Sequence, residues 1–471
     1  EQYAAELDRL EEKFTPLVLR CRQLERALRI GVNHGSLSDR IMNRFGDSPM
    51  GMVESALEFA RVARRHGFHN FVFSLKASNP KVVIECHRLL VARLDALGPD
   101  WNYPIHLGVT EAGEGEDGRI KSAIGIGSLL CDGIGDTIRV SLTEDSPREI
   151  PVCNDLIAQV SALTLAATDD GRIAPAQPVA PPALARFLDG MALPVDSFRY
   201  ERRKSSELTL ANNLKCGGSH TVRVVVMRTT WNQAVPLPPP LHDTPPEAVY
   251  EDLNVCETDP TAEFSMDNDA QLVTVKDGVG LPAIAAFRLL AARLARLGWN
   301  NPILLKDSLN VPAASEPPHL ALLRAAVVLG SLLADGIGDA ILVRGEPRPA
   351  HSLRLAYTIL QAAGCRSFKT DYVACPSCGR TLFDLQTVTA RIKARTEHLK
   401  GVKIAIMGCI VNGPGEMADA DFGYVGGAPG KVNLYVGRKP VKFNLPEAEA
   451  VERLVDLIRE HGQWVEPTVN R

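Results

Sequence analysis

The sequence predicts an α/β protein, and three observations support this fold class. The first is an alternation of short apolar runs with amphipathic stretches in the first third of the chain, a pattern typical of buried parallel strands connected by helices. The second is an internal repeat in the middle of the chain. The third is a glycine-rich C-terminal segment in which three of the ten cysteines are clustered. Together they predict two α/β domains of related architecture and a smaller α/β domain.

Four apolar runs rich in β-branched residues predict parallel strands in the first stretch. These runs are Ala27–Asn33, Asn70–Lys76, Ile105–Glu111 and Asp136–Thr143. Three helical patterns follow the first three runs, and they are Gly51–His66 after the N-cap Ser48, Pro80–Leu97 and Ser122–Leu130. A polar cluster lies just after each predicted strand. In a (β/α)₈ barrel this is the catalytic face.

The βα unit occurs four times here, whereas closure of a (β/α)₈ TIM barrel takes eight strands. We therefore expect residues 1–165 to be the C-terminal half of a TIM barrel, with its N-terminal half absent from this chain. Strands from a later part of the chain would be the alternative. A start within a long amphipathic helix, with Tyr3, Leu7 and Leu10 among its apolar residues, favours the first explanation.

The internal repeat predicts a duplicated βα architecture. Gly127–Val140 has the sequence GSLLCDGIGDTIRV, and Gly330–Val343 has GSLLADGIGDAILV. The second copy has Leu309 in place of Glu111, Leu342 in place of Arg139 and Arg344 in place of Ser141. We expect residues 166–350 to be an inserted spacer domain, a degenerate repeat of the barrel. Proline-rich stretches within these residues indicate exposed linkers or loops.

The C-terminal segment, residues 351–471, predicts a small separate α/β domain. Its strand patterns are Lys369–Ala374, Val402–Met407 and Val432–Val436. A helical pattern covers Leu382–Lys400, and a last helix covers Glu447–Glu460.

Composition excludes several classes of protein. The net charge of −4 and the scatter of basic residues give no basic stripe for nucleic acid. No apolar run approaches the length of about 20 residues that spans a bilayer. We therefore expect no nucleic-acid partner, no membrane association and a cytoplasmic location. The cysteines lack the dense spacing of secreted disulfide frameworks, so we expect most of them to be reduced.

Cys375 and Cys378 form a Cys-x-x-Cys pair that points to a metal or redox site. This spacing alone occurs in zinc knuckles, redox dithiols and iron–sulfur sites. A zinc ribbon needs a second such pair, but Cys409 is followed by no further cysteine and by no histidine before His461. Three thiolates suit an iron–sulfur cluster that takes one non-cysteine ligand. Glu416 is the nearest carboxylate after Cys409, although its spacing also suits a loop residue or a helix cap.

The chain resembles the 4-hydroxy-3-methylbut-2-enyl diphosphate synthase family of the methylerythritol phosphate route to isoprenoids. The resemblance rests on several long motifs in order along the chain. They are RIGVNHGSLS from Arg29, FSLKAS from Phe73, HLGVTEAGEG from His106, GDTIRVSLT from Gly135, CPSCG from Cys375 and MGCIVNGPGE from Met407. The resemblance extends to the inserted domain, which is similar to that of the three-domain form of this family.

The resemblance implies the reductive ring opening of 2-C-methyl-D-erythritol 2,4-cyclodiphosphate to (E)-4-hydroxy-3-methylbut-2-enyl diphosphate and water. It also implies a [4Fe-4S] cluster and electrons from ferredoxin or flavodoxin. The implied cluster ligands are Cys375, Cys378, Cys409 and Glu416. The implied substrate-binding residues are Arg29, Asn33, Lys76, Arg139 and Ser141, and the implied catalytic residues are Glu111 and Glu416. A monomer and a homodimer are both compatible with this assignment.

Polar side chains at the predicted strand ends suit this chemistry in their own right. Arg29, Lys76 and Arg139 can converge on a diphosphate from three strands. Glu111 can supply the proton that water loss needs, or can instead be a structural partner of Arg139. Two other hypotheses are a non-catalytic electron carrier, which would need four cysteine ligands, and a zinc-stabilised phosphate-binding module. An inactive fragment of the enzyme is a further alternative.

Overall fold

The computed structural model describes residues 2–164, 193–210, 213–234, 244–262, 271–310 and 316–467. The chain forms two compact units, which are Glu1–Cys153 with Lys369–Arg471, here called the first unit, and Asn154–Phe368, here called the inserted unit. Our sequence-based boundaries were residues 166 and 350. Residue 166 lies outside the described residues, and residue 350 lies in a helix of the inserted unit, so the division after residue 368 comes later than expected.

The N-terminal part of the first unit contains the four βα units that the sequence predicts. Its strands are β1 (Leu28–Asn33), β2 (Phe71–Lys76), β3 (His106–Val109) and β4 (Thr137–Val140). Its helices are α1 (Gln2–Gln23), α2 (Asp39–Phe45), α3 (Pro49–Arg65), α4 (Pro80–Leu97), α5 (Gly115–Cys131) and α6 (Glu149–Thr164), which belongs to the inserted unit from Asn154 onward. β1 pairs with β2 and β3 with β4, all parallel, and a bridge from Phe73 to Ile105 joins the two pairs.

Local sequence explains these elements. Ile30 and Val32 of β1, and Phe73 and Leu75 of β2, are buried, and they alternate with residues that face the other side of the sheet. Helix α3 begins at a side-chain cap, as the sequence predicts for Ser48, whose hydroxyl accepts the N–H of Gly51 at 3.1 Å. The sheet therefore has one apolar face under the helices and one face free to carry polar groups.

The C-terminal part of the first unit is a five-stranded sheet. Its strands are β13 (Asp371–Ala374), β14 (Lys403–Met407), β15 (Phe422–Ala428), β16 (Lys431–Val436) and β17 (Lys439–Pro446), in that spatial order. Its helices are α11 (Leu385–Thr396), α12 (Gly413–Glu416) and α13 (Glu447–Glu460). β13, β14 and β15 are parallel, and the last two strands are antiparallel. The sequence prediction missed two strands. They are β15, whose sequence FGYVGGA contains three glycines, and the largely exposed β17.

The inserted unit repeats the βα architecture. Its strands are β5 (Leu208–Thr209), β6 (Lys215–Cys216), β7 (Arg223–Val226), β8 (Ala248–Val249), β9 (Val255–Thr258), β10 (Leu272–Val275), β11 (Leu304–Lys306) and β12 (Ala340–Leu342). Its helices are α7 (Arg228–Ala234), α8 (Ala283–Arg296), α9 (Pro318–Ala334) and α10 (Pro349–Ala362). β11, α9 and β12 occupy the places of β3, α5 and β4 of the first unit, as the repeat predicts.

The strand ends of the inserted unit are more polar than the sequence comparison suggested. Leu309 and Leu342 are buried, as their apolar replacements imply. Lys306, however, is fully buried and pairs with Asp277 at 2.7 Å, and Arg344 binds the same carboxylate through two nitrogens at 2.7 and 3.0 Å. The polar cluster of the first unit has thus been replaced by another one, whose charges neutralise each other.

Within the ranges that the structure describes, no helix is both long enough and apolar enough to cross a membrane.

The two parts of the first unit are joined by a buried ion pair. Lys121 of α5 is 8% exposed, and its ammonium lies 2.7 Å from Asp371 and 3.1 Å from the carbonyl oxygen of Tyr372. Beside it, the hydroxyl of Thr143 donates to the carbonyl oxygen of Ala374 at 3.2 Å. These contacts hold the start of β13 against the N-terminal part of the first unit, strands β1 to β4 and their helices, here called the half-barrel. The residues that follow β13 are therefore placed over the ends of strands β1 to β4.

Replacing Lys121 by methionine is expected to destabilise the first unit by about 2 kcal/mol, because it leaves the Asp371 carboxylate without its closest cation. Burial raises the pKa of Asp371, but Lys121 and Lys403 lower it by more than burial raises it. The pKa of Asp371 therefore lies below its ordinary value. The pair therefore stabilises the fold above the unfolded-state pKa of about 4, and this contribution is lost as the pH falls further. Urea unfolding at pH 7 and pH 3.5 measures both effects.

The exposed Lys439, replaced by methionine, is the matched control for the loss of one positive charge. If both variants unfold at the same urea concentration at pH 7, the ion pair does not stabilise the fold.

Candidate active site

The inner face of the half-barrel is polar. Because alternate residues of a strand share a face, the helix-facing Ile30 and Val32 place Arg29 and Asn33 on the inner face. The strand register brings Lys76 beside Asn33, and it brings Arg139 beside Gly108 on the neighbouring strands. The interior of an ordinary TIM barrel is filled by branched apolar side chains. Three cations and a glycine at this level therefore indicate a binding surface instead of a packed core.

A cavity of about 200 Å³ lies between the strand ends of the half-barrel and the C-terminal sheet of the same unit. All of the site residues predicted from the sequence line this cavity. They are Arg29, Asn33, Lys76, Glu111, Arg139, Ser141, Cys375, Cys378, Cys409 and Glu416. The fold thus brings the predicted anion-binding residues and the predicted cluster ligands to one place.

The cations of the cavity lie close enough to affect one another. Burial lowers the pKa of Lys76, and the neighbouring Arg29 and Arg139 lower it further, whereas Glu416 and Glu111 oppose the shift. Arg139 has only a long contact to a carboxylate, 3.7 Å from its Nε to Glu149. Positive charges that repel each other in a half-buried site favour the binding of an anion with more than one charge.

The three cysteines meet because two neighbouring strands end together. β13 and β14 are parallel neighbours, so Cys375 after β13 and Cys409 just beyond β14 leave the sheet at the same edge. The N–H of Gly408 donates to Cys375 Sγ at 3.2 Å, and the N–H of Arg380 donates to Cys378 Sγ at 3.5 Å. Burial raises the pKa of Cys375 to about 11, whereas the Arg380 N–H lowers the pKa of the exposed Cys378.

The donor set fits an iron–sulfur cluster by its chemistry. Three cysteine sulfurs and one carboxylate surround the cavity, and backbone N–H groups point at two of the sulfurs, as expected around a cluster. Among the described residues, no three histidine, cysteine, aspartate or glutamate side chains are grouped so as to hold a single metal ion.

Glu416 is held by the half-barrel as well as by its own turn. It ends the single-turn helix α12, and its Oε1 accepts the side-chain N–H of Asn33 at 2.8 Å. The sequence predicted Asn33 as a substrate-binding residue, so its contact with the predicted fourth ligand is a finding of the tertiary structure. The loop after β1 packs so closely on α12 that a Cβ on Gly35 would overlap the carbonyl oxygen of Gly415.

Glu111 is buried next to Glu416. Its backbone has φ 51°, the residue is 5% exposed, and its Oε2 has no hydrogen-bond partner within the described residues. Burial raises the pKa of Glu111 well above its usual range, and the charge of Glu416 and a hydrogen bond to it raise it further. Both effects favour the protonated form of Glu111. The predicted alternative, in which Glu111 pairs with Arg139, is not the arrangement in the structure, because Glu149 is the carboxylate next to Arg139.

Other residues of the cavity were missed by the sequence analysis. His106, Thr110 and Arg380 also line it. A period of two along β3 would have placed His106 and Thr110 on the same face as Gly108. Arg380, two residues after Cys378, carried no signal that distinguishes it from an exposed surface charge.

Replacing Gly35 by alanine is expected to cost about 2 kcal/mol of stability and to displace Glu416, because Gly35 has φ 80° and has no room for a methyl group against Gly415. Urea unfolding measures the first effect. The iron content of the protein after anaerobic gel filtration measures the second, and we expect it to decrease.

Gly430→Ala is the matched control, because Gly430 has φ 67° but nothing lies within 4 Å of the added carbon. This control separates the cost of placing alanine at a positive φ from the cost of the overlap with Gly415. Equal effects of the two substitutions would show that the contact between Gly35 and Gly415 does not position Glu416.

Comparison with known proteins matches the two parts of the first unit to two family models. Residues 5–154 match the family model described as the GcpE TIM-barrel domain, and residues 371–460 match that of the GcpE protein C-terminal domain. These two segments together correspond to the first unit.

Three curated relatives align with nearly the whole chain. The 4-hydroxy-3-methylbut-2-en-1-yl diphosphate synthase (flavodoxin) of Akkermansia muciniphila is 54% identical, over 99% of this chain and 77% of that protein. The protein of the same name from Protochlamydia amoebophila is 44% identical, over 100% of this chain and 79% of the relative. The chloroplastic, ferredoxin-type synthase of Arabidopsis thaliana is 41% identical, over 100% of this chain and 72% of the relative.

Proposed function

Because this chain belongs to the 4-hydroxy-3-methylbut-2-en-1-yl diphosphate synthase (GcpE) family, we propose that its cavity performs the reaction of that family. The reaction opens 2-C-methyl-D-erythritol 2,4-cyclodiphosphate to (E)-4-hydroxy-3-methylbut-2-enyl diphosphate. Written for the neutral acids, it consumes two electrons and two protons and releases one water. The observation that carries the proposal is the single cavity that joins three cations, three cysteines and a pair of glutamates.

The cations would bind the diphosphate of the substrate. Arg29, Lys76 and Arg139 come from three different strands and face the same cavity, so they can surround a diphosphate from three sides. Ser141, two residues beyond Arg139, shares its face and would add a neutral hydrogen bond. Binding would relieve the mutual repulsion of the cations. The diphosphate would therefore be held firmly while the carbon skeleton projects toward the cysteines.

A [4Fe-4S] cluster, when bound by Cys375, Cys378, Cys409 and Glu416, would supply the two electrons one at a time. The residues around it are suited to holding such a group, because sulfur donors and N–H groups converge on one edge of the sheet. Asn33 would orient the carboxylate of Glu416, whose oxygen it already contacts.

Glu111 would be the acid for the departing oxygen. Its buried carboxyl, whose pKa is raised by burial and by Glu416, lies in the cavity next to Glu416. A hydroxyl leaves a carbon far more readily as water than as hydroxide, so a proton donor at this place assists the reaction. Burial of Glu111 also keeps bulk water away from the carboxyl before the substrate enters.

Reduced flavodoxin or ferredoxin is the electron donor that we propose, since the names of the relatives specify one or the other. For the inserted unit we propose a spacer role without catalysis. The pairing of its charged side chains with one another supports this, because Lys306 and Arg344 are already paired with Asp277 and Glu257.

The proposal is tested by anaerobic purification followed by iron, sulfide and zinc analysis and by an assay with the cyclodiphosphate. We expect about four irons and four sulfides per chain, a broad visible absorption, and product formation with reduced flavodoxin or ferredoxin. One zinc per chain without colour, together with no product, would refute the proposal and would favour the zinc-stabilised phosphate-binding module.

A further inference from the structure

His106 is a titratable residue of the cavity to which the proposed reaction gives no role. It is the first residue of β3 and faces the cavity. Its register partner on β4 is Thr137, and the bridge between Phe73 and Ile105 places Ser74 at its level on β2. Ser74 is fully buried, and its hydroxyl has no partner in the part of the chain that the structure describes. The floor of the cavity is therefore polar at this level.

The imidazole of His106 is oriented through one of its two nitrogens. Its Nδ1 lies 2.7 Å from the hydroxyl of Thr137. Nε2 has no hydrogen-bond partner among the described residues and is the nitrogen left for a ligand. Functional histidines are commonly oriented in this way, by a neighbouring group that hydrogen-bonds one ring nitrogen and leaves the other available.

The charges around His106 are mostly positive. Arg29 comes from β1, Lys76 from β2 and Arg139 from β4, and His87 of α4 lies behind the strand as a fully buried, neutral imidazole. The acidic groups of the cavity are Glu416 and Glu111, whose raised pKa favours its neutral form. Burial lowers the pKa of His106, and the three cations lower it further. Without a ligand, His106 is neutral at pH 7.

A bound diphosphate reverses this balance. The cyclic substrate carries two negative charges, and ring opening produces a linear diphosphate monoester with one more ionisable oxygen. Opposite charges within about 4–6 Å shift a pKa by about one to three units toward the charged form. The negative charge in the cavity therefore favours the imidazolium first on binding and more strongly as the product forms.

We propose that His106 is a further substrate-binding residue, a neutral imidazole that takes up a proton when the diphosphate enters the cavity, with Thr137 as its positioning residue. The proposal rests on the proposed function, because it needs a diphosphate among the three cations. The proton comes from solvent, and its uptake adds a positive charge where the product needs one.

Proton uptake can be measured directly by titration calorimetry. Without a reductant, we expect the oxidised holoenzyme to bind the cyclodiphosphate without reducing it. Titrations at pH 7 in three buffers of different ionisation enthalpy give the number of protons taken up per ligand. The cyclic diphosphate has no group that titrates near neutral pH, so the uptake belongs to the protein. We expect about half a proton per site for the wild type.

His106→Asn is the first test variant, and His106→Gln is the second in case the first binds too weakly to titrate. We expect either variant to take up at least about 0.3 fewer protons than the wild type and to bind about tenfold more weakly. Thr137→Val keeps the imidazole, so it should retain the uptake while losing a few-fold in affinity. His351→Asn, at an exposed histidine of the inserted unit, should match the wild type in both.

Equal proton uptake by the wild type and the His106 variants would overturn the proposal while leaving the proposed function intact. Failure of the wild-type holoenzyme to bind the cyclodiphosphate at all would instead refute the proposed function, and this inference with it.

Discussion

Cys409→Ala should abolish the turnover of the cyclodiphosphate, with a loss of at least about 10³-fold, because both electrons are proposed to pass through the group that Cys409 helps to hold. The side chain leaves the sheet just beyond β14, beside Cys375 at the neighbouring strand end. No other cysteine lines the cavity besides Cys375 and Cys378 among the described residues. Iron and sulfide analysis, the visible spectrum and the rate of product formation measure the effect.

Cys21→Ala is the matched control, since Cys21 is a partly buried cysteine of α1 and does not line the cavity. It should retain the iron, the colour and the rate of the wild type. If Cys409→Ala also keeps all three, Cys409 is not a ligand, and the assignment of the cysteine cluster is wrong.

Glu111→Gln should lower kcat by about 10²- to 10⁴-fold while changing KM little, because it removes the proposed proton donor but keeps the shape of the side chain. The amide can still donate to Glu416, so we expect the variant to fold and to bind iron like the wild type. Burial and Glu416 raise the pKa of Glu111 well above its usual range in the native protein, which favours its protonated form. Steady-state kinetics with reduced flavodoxin separate kcat from KM.

The control is Glu114→Gln, which makes the same change three residues away. Glu114 is a partly exposed residue that pairs with Lys393 at 2.7 Å, outside the cavity. Its kcat should stay within about twofold of the wild type, as expected for an exposed ion pair. A Glu111→Gln enzyme as fast as this control would show that Glu111 is not the acid.

Several features of this protein followed from the sequence because local patterns carry them. The alternation of buried residues at Ile30 and Val32 fixes which face of β1 meets the helices, and so it fixes the face on which Arg29 lies. Cys375 and Cys378 are close in sequence. Cys409 joins them because neighbouring parallel strands end together in the structure. The repeat of GSLL and DGIGD motifs likewise predicted the second βα unit.

The sequence was less informative where a strand lacks a β-branched pattern or where charges can be exchanged for other charges. β15 escaped prediction because its FGYVGGA sequence contains three glycines that are untypical of strands. The alignment predicts that the inserted unit lost its polar residues, whereas the buried Lys306 pairs with the partly exposed Asp277 in the structure. Which charges pair depends on distances between strand ends, and a residue-by-residue alignment does not contain those distances.

What the sequence by itself determined is the inventory of the site, namely its cations, its cysteines and the carboxylates on either side of them. The tertiary structure decided which of these residues contact one another. Asn33 binds Glu416 across 383 positions of sequence, and Glu111 takes Glu416 rather than Arg139 as its neighbour. The physical reason is that the protonation of Glu111 and the orientation of His106 depend on burial and on charges a few ångströms away, which only the packing of β1, β3, β4 and α12 brings together.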